Sequence, residues 1–179
     1  SDTSKTSICA RNVYSIWERT LEQKSAQLVF CDLSTPGKTI DMEMRDGVAV
    51  MSDFQNVYDD LKKKLVAKGI PPEEIAFIHE ANTEVRKKEL FARVRSGQVR
   101  VLIGSTAKMG AGTNVQDRLI ALHDLDCPWR PYDLAKRLGR IVRKGNQNPE
   151  VEIFSYVTEN TFDAYLYQVI ENKQKFISQ

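Results

Sequence analysis

Short apolar runs alternate along this chain with longer stretches in which apolar residues recur every three to four positions. The short runs are typical of buried β-strands and lie at 27–32, 74–79, 99–105, 118–126 and 150–157. The longer stretches are typical of amphipathic helices and lie at 8–24, 56–69, 82–97, 131–142 and 161–177. Strands that alternate with helices in this way predict an α/β fold with a mostly parallel sheet covered by helices on both faces.

Glycine and asparagine mark several element ends. Gly69 and Gly97 each follow an amphipathic stretch, at the position where a helix commonly ends in a left-handed glycine. Asn82 is predicted to open the helix that Gly97 ends. Residues 40–51 predict a small hairpin that turns at Asp46-Gly47.

Composition is that of an ordinary globular domain, because 41% of the 179 residues are apolar and 28% are charged. No run approaches the roughly 18 apolar residues of a membrane helix, so we expect no membrane partner. Three cysteines without a close pair or a Cys/His cluster argue against disulfides and zinc, and they favour a cytoplasmic location. The net charge is only +2, so any contact with a polyanion must be local.

The segment KRLGRIVRKG, residues 136–145, holds five positive charges and no acidic residue. On a helix, three of its cations share the face opposite the apolar stripe: Lys136, Arg140 and Arg143. A solvated helix face usually interleaves acidic residues, and arginine suits bidentate contact with phosphate oxygens. The pattern therefore favours a phosphate-contacting surface over a merely solvated one.

Function is expected where parallel strands end, because sites in such sheets form at the carboxyl ends of the strands. Three loops occupy that position: LSTPGKT, STAKMGAGTN and DCPWRP. PGKT resembles a phosphate-binding loop, but Asp32 stands where that loop needs a glycine, which favours a surface turn. DCPW resembles the catalytic tetrad of amino-methyltransferases, and GAG at 110–112 would stand for their glycine-rich loop. A single short strand separates the two motifs here, whereas several strand–helix units separate them in that fold, which argues against a methyltransferase site. His79 and His123 are expected to have hydrogen-bonded structural roles.

Taken in order, these segments resemble the C-terminal RecA-like lobe of superfamily-2 helicases, and most closely that of Swi/Snf-type translocases. QLVFCD is similar to the fourth helicase motif, VRVLIGSTAKMGAGTNVQ to the fifth and PWRPYDLAKRLGRIVRKGN to the sixth. The KMGAGTNVQ and PWRP strings are also similar to large bacterial proteins, often on mobile elements, that join such a motor to an adenine methyltransferase region. The resemblance implies a three-layer αβα lobe.

For ATP hydrolysis, the resemblance implies that Arg140 and Arg143 act across the cleft as catalytic arginines. Gly112, Asn114 and Lys136 would bind ATP or couple it to nucleic acid, although Lys136 replaces a glutamine of the family pattern. ATP and Mg²⁺ would be held mainly by an N-terminal RecA-like lobe of the same polypeptide. No Walker A loop and no D-E-x-H/D motif occurs in this sequence, so the chain alone is expected to be inactive.

For DNA, the resemblance implies four contact residues: Ser105, Thr106, Lys108 and Trp129. It also implies an organisation in which residues 1–26 form a helix or linker from the preceding region and 27–157 form the lobe. Residues 37–53 would then be a small insertion, and 158–179 a C-terminal brace helix. The function expected is the second motor lobe of an ATP-dependent DNA helicase or translocase. The alternatives are a non-catalytic nucleic-acid-binding module and part of a DNA adenine methyltransferase.

Overall fold

The computed structural model describes residues 4–32, 41–45, 48–52, 57–110, 114–125, 145–148, 150–161 and 164–175. Its helices are α1 (Lys5–Arg19), α2 (Val57–Lys68), α3 (Glu84–Arg95) and α4 (Thr106–Gly110). Its strands are β1 (Ala26–Phe30), β2 (Asp41–Arg45), β3 (Val48–Ser52), β4 (Ile75–Phe77), β5 (Val101–Gly104), β6 (Leu119–Asp124), β7 (Glu150–Thr161) and β8 (Ala164–Lys175). Short 3-10 turns lie at Pro72–Glu74, Ile78–Glu80 and Gln116–Arg118.

Six strands form the main sheet in the order β4-β5-β1-β6-β7-β8. The first five run parallel, and β8 pairs antiparallel with β7. The core residues of α1 and α2 pack on one face, and those of α3 and α4 pack on the other. All five residues of β1 are buried, because both faces of this central strand are covered. The predicted three-layer α/β fold with a mostly parallel sheet is confirmed.

Several predicted element ends are confirmed. Gly69 and Gly97 follow α2 and α3 with φ angles of 124° and 86°, a region that favours glycine. The N-cap of α3 is Thr83 rather than the predicted Asn82, because the Thr83 side chain accepts a hydrogen bond from the Arg86 amide at 3.1 Å. The predicted hairpin forms as β2 and β3 in antiparallel register, and its Asp46-Gly47 turn lies outside the described residues.

The helix predicted over 161–177, and with it the brace helix over 158–179, is wrong. Ala164–Lys175 forms β8 instead, in register with β7 from Glu150↔Lys175 to Thr161↔Ala164. Without β8, the outer edge of β7 would present unpaired backbone donors and acceptors, which the antiparallel ladder satisfies. Tyrosine, valine and isoleucine in this segment also favour strands. Antiparallel pairing with the preceding strand therefore overrides the helical periodicity.

Helix α1 packs into the core of the sheet domain, to which it contributes Cys9, Ala10, Val13 and Ile16. Its end is fixed by Arg100, which is 2% exposed and lies just before β5. The Arg100 Nε donates to the Ser25 carbonyl at 2.7 Å, and Nη2 donates to the Thr20 hydroxyl at 2.9 Å. This helix is thus part of the packed domain, while the proposed boundary at residue 27 stays a prediction.

A chain of hydrogen bonds crosses the core through His123, which is fully buried at the end of β6. The Gln27 side chain accepts at 2.8 Å from His123 Nε2, because its own amide nitrogen donates to the Val13 carbonyl at 2.9 Å. The His123 Nδ1 therefore accepts from the Tyr156 hydroxyl at 2.9 Å. Burial lowers the pKa of His123 from its usual 6.5 to about 3, so the ring stays neutral. The expected structural role of His123 is confirmed.

Candidate functional site

The carboxyl ends of the central strands β5, β1 and β6 lie side by side at one rim of the sheet. The Cys31 amide donates to the Gly104 carbonyl at 2.9 Å, and the Leu125 amide donates to the Phe30 carbonyl at 3.0 Å. These bonds continue the parallel pairing to the last residues of the strands. The loops that follow β1 and β5 therefore leave the sheet next to each other.

Three of the predicted site residues come together at this rim, directly after β5. The Ser105 hydroxyl accepts from the Lys108 amide at 3.3 Å, and the Ser105 carbonyl accepts from the Met109 amide at 3.0 Å. Met109 is fully buried and anchors α4 in the core, while Lys108 is exposed. Thr106 begins α4 between them. Hydroxyl and ammonium donors in this arrangement suit the oxygens of a phosphate group.

Asp32 joins the site from just beyond the end of the neighbouring strand β1, and the sequence alone assigns it no role there. Its Oδ1 accepts from the Thr106 amide at 2.6 Å, and its Oδ2 accepts from the Thr106 hydroxyl at 2.5 Å. The available signal was its position, because a carboxylate that directly follows a buried strand emerges at the carboxyl rim. Its partner Thr106, at the start of α4, is 74 residues away and could not be found from local pattern.

Close packing also fixes Gly104, the last residue of β5 and the residue just before Ser105. A Cβ added at Gly104 would lie 2.2 Å from Cγ2 of Ile78 and 3.1 Å from its Cβ. Ile78 is 1% exposed and sits in the 3-10 turn that follows β4. Only glycine therefore allows this turn to pack against the end of β5.

Replacing Gly104 with alanine is expected to lower the free energy of unfolding by about 1–3 kcal/mol, because the added methyl overpacks a rigid contact. Urea denaturation of the chain measures the loss. Ile78→Ala removes the atom that the new methyl meets, so the Gly104→Ala/Ile78→Ala double variant should be less destabilised than the sum of the single variants. Strict additivity would show that the contact with Ile78 does not determine the effect.

Asn114 is a predicted coupling residue, and its hydrogen bond in the structure is to α3 rather than to Ser105, Thr106 or Lys108. Its carbonyl accepts at 2.7 Å from the Arg95 guanidinium, which belongs to the last turn of α3. The chain must return from the carboxyl end of β5 to the amino end of β6 at Leu119 in a parallel sheet. Asn114 lies on that return path, and the structure shows no hydrogen bond between it and Ser105, Thr106 or Lys108.

The remaining predicted site residues lie outside the described part of the chain: Gly112, Trp129, Lys136, Arg140 and Arg143. Described residues lie on both sides of residues 126–144, which include most of the sixth-motif segment. Leu125 follows β6 at the carboxyl rim. At the other end, the Asn146 side chain donates to the Leu119 carbonyl at 3.0 Å, and the Gln147 amide donates to the Asp117 carbonyl at 2.8 Å. Leu125, the last described residue before this segment, thus lies at the rim of the candidate site.

His79 lies near the same rim, in the turn after β4, and its environment differs from the one expected. The ring stacks on Phe77 with centroids 5.2 Å apart and meets Tyr58 edge-on at 5.6 Å. Burial lowers the pKa of His79, Lys108 adds to the lowering, and Glu80 and Asp59 oppose it. Its Nδ1 is buried and has no hydrogen-bond partner among the residues that the structure describes. The expected hydrogen-bonded role is therefore wrong at this atom, and aromatic contacts hold the ring.

The donor chemistry of the rim fits phosphate better than it fits a metal ion. Among the residues whose placement the structure gives, no group of three His, Cys, Asp or Glu side chains could hold a metal. The hydroxyls of Ser105 and Thr106 and the ammonium of Lys108 are hydrogen-bond donors that match phosphate oxygens. No helix within the described ranges is long and apolar enough to cross a membrane.

Comparison with known proteins identifies the domain. The model of the family "helicase conserved C-terminal domain" matches residues 21–145, which is more than half of the chain and includes the whole rim described above. An uncharacterised ATP-dependent helicase of Bacillus subtilis (strain 168), YqhH, is 33% identical over 89 residues. That match covers 49% of this chain and only 15% of the Bacillus protein, so the chain spans a small part of this relative. The chain belongs to the helicase C-terminal domain family.

Proposed function

We propose that this chain is the second motor lobe of an ATP-dependent DNA helicase or translocase of the Swi/Snf type. In this proposal, an N-terminal RecA-like lobe of the same polypeptide holds ATP and Mg²⁺, and the present lobe completes the nucleotide pocket. One observation carries the proposal. The Ser105–Lys108 segment lies at the same carboxyl rim as Leu125, the last described residue before the sixth-motif segment, and ligands bind at this rim in parallel sheets.

Arg140 and Arg143 are proposed to act as the catalytic arginines of this pocket. Phosphoryl transfer spreads negative charge over the oxygens of the γ-phosphate, and an arginine that reaches those oxygens stabilises the transition state. The planar guanidinium can donate two parallel hydrogen bonds, which a lysine cannot. Lys136, Gly112 and Asn114 are proposed to contact ATP or to couple its hydrolysis to DNA. For Asn114, this role requires its side chain, because its carbonyl is already bonded to Arg95.

Ser105, Thr106, Lys108 and Trp129 are proposed to contact a DNA strand. Support comes from the first three, which carry two hydroxyls and one exposed ammonium on a single short segment, with the Thr106 hydroxyl bonded to Asp32 in this structure. Such contacts go to phosphates, so they would position the strand without reading its sequence. Coupling would follow because this segment comes directly after β5 and the sixth-motif segment comes after β6, and both strands end at the same rim.

The isolated chain is expected to show no appreciable ATP hydrolysis, because its sequence contains neither a Walker A loop nor magnesium-binding carboxylates of the D-E-x-H/D type. Phosphate release from the purified chain, with and without DNA, measures this directly. Turnover that Arg143→Ala abolishes would contradict the division of work between two lobes. Tight DNA binding by the isolated chain that falls steeply with log[salt] would instead favour a non-catalytic binding module.

Replacing Thr106 with valine in the full-length protein should weaken DNA-stimulated ATP hydrolysis by roughly three- to tenfold, about the effect of one lost hydrogen bond. Hydrolysis rates measured over a range of DNA concentrations test this. Thr106→Ser is the matched control, because it keeps the hydroxyl and should retain most of the stimulation. If the valine variant is stimulated as fully as the wild type, the Thr106 hydroxyl does not contact the strand.

A further inference from the structure

We infer that Asp32 competes with a strand phosphate for Thr106, so that DNA must displace this carboxylate to engage the rim. The inference rests on the proposed function, which assigns a phosphate contact to Thr106. It adds a residue just after β1 to which neither the fifth-motif resemblance nor the family match gives a role. Asp32 would thereby set the affinity of the lobe for DNA, which would be higher once the carboxylate has left Thr106.

The contact uses both donors that Thr106 has. A threonine offers one backbone N–H and one hydroxyl hydrogen. Both are taken by Asp32, the first at 2.6 Å by Oδ1 and the second at 2.5 Å by Oδ2. A phosphate that accepted either hydrogen bond would have to take it from the carboxylate. The carboxylate thus occupies the place of the phosphate, with the same charge sign and the same two-oxygen geometry.

Rigid neighbours hold the two groups in place. The bond from the Cys31 amide to the Gly104 carbonyl locks together the residues just before Asp32 and Ser105. Gly104 packs against Ile78, and Met109 anchors α4 in the core. The two strand ends are therefore held together, and release of the Thr106 donors requires the Asp32 side chain to rotate away. A local side-chain movement is enough to expose the donors.

Electrostatic repulsion prevents the Asp32 carboxylate and a phosphate from binding Thr106 at the same time. Two anionic groups that share the donors of one residue lie within a few ångströms of each other, where like charges repel. The exposed Lys108 ammonium, two positions along α4, remains available to attract a phosphate before Asp32 leaves. Removing the carboxylate should therefore tighten DNA binding, whereas removing a merely structural contact would loosen it.

The test measures the Kd of the full-length protein for a short fluorescent DNA duplex at fixed low salt by anisotropy. Asp32→Ala is expected to lower the Kd on the order of tenfold, which corresponds to regaining a charge-assisted contact. Adding Thr106→Val to that variant should remove most of the gain. Thr106→Val should also cost more affinity in the Asp32→Ala background than in the wild type. Asp59→Ala, on exposed α2 surface, is the matched control for losing one negative charge.

Several results would overturn the inference. An unchanged or weaker affinity of Asp32→Ala would show that Asp32 positions Thr106 rather than competing for it. A gain that persists with Thr106→Val, or that Asp59→Ala reproduces, would show a general charge effect. Should Asp32→Ala not fold, Asp32→Asn keeps an acceptor for the Thr106 amide, and a smaller gain that depends on Thr106 is expected. Absence of DNA binding by the wild type would instead refute the proposed function itself.

Discussion

Replacing Arg143 with alanine in the full-length protein is expected to lower the kcat of DNA-stimulated ATP hydrolysis by roughly 10³–10⁵. This loss corresponds to about 4–7 kcal/mol of transition-state stabilisation. The physical reason is that the guanidinium meets charge that develops on the transferred phosphoryl group and is absent in the ground state. DNA affinity should change little, because the strand contacts are assigned to other residues. Steady-state phosphate release and DNA anisotropy, measured on the same preparation, test both statements.

Arg137 offers a matched control for Arg143, because it lies in the same basic segment but outside the proposed catalytic pair. Arg137→Ala removes the same charge and should leave kcat within a few-fold of the wild type. Arg143→Lys should be nearly as inactive as Arg143→Ala, because an ammonium cannot form the bidentate contact. Weakened DNA binding together with unchanged hydrolysis in Arg143→Ala would show that this arginine binds the strand and does not catalyse.

Acidification is expected to destabilise the chain through His123. The folded-state pKa of about 3 lies below the usual 6.5, so the unfolded state binds more protons between these values. The contribution to stability is therefore fully present above pH 6.5 and is lost as the pH falls toward 3. Each pH unit in this window costs up to about 1.4 kcal/mol, and the whole window costs about 4–5 kcal/mol. Urea denaturation from pH 8 to pH 4 measures the slope.

His123→Gln removes the titrating ring, so the free energy of unfolding of this variant should depend less on pH between 6.5 and 4 than that of the wild type. The variant will also be less stable at pH 8, since its amide cannot reproduce both hydrogen bonds of the buried ring. His79→Gln is the matched control, because His79 is the only other histidine and is only partly buried. Equal pH slopes for the wild type and His123→Gln would refute this assignment.

Much of the sheet could be predicted from sequence because buried strands and amphipathic helices have distinct periods. The run at 27–32 and the helix ending at Gly69 both lie close to where the structure has them. The 161–177 segment could not be predicted, because its apolar stripe at helical spacing coexists with strand-favouring residues. Its conformation depends on antiparallel pairing with the preceding strand β7, which the apolar spacing within the segment does not show.

At the candidate site, the position of Ser105 and Thr106 could be predicted because loops after parallel strands gather at one rim. Asp32 and the close contact between Gly104 and Ile78 could not, because each joins residues that are far apart in sequence. The hydrogen bond from the Arg95 guanidinium to the Asn114 carbonyl could not be predicted for the same reason. The sequence pattern thus predicts the position of the rim, whereas tertiary contacts decide which of its hydrogen-bond donors are already bonded within the protein.

Single-turnover hydrolysis of ATP bound to the full-length protein tests most directly whether this lobe completes the nucleotide pocket. Wild type, Arg140→Ala and Arg143→Ala should be compared in the presence of DNA, with the Kd for ATP measured in the same samples. For Arg143→Ala we expect the hydrolysis step to slow by at least roughly 10³, with the Kd for ATP changed by less than about tenfold. An unchanged hydrolysis step in both arginine variants would contradict the proposal that this lobe supplies catalytic groups to the bound nucleotide.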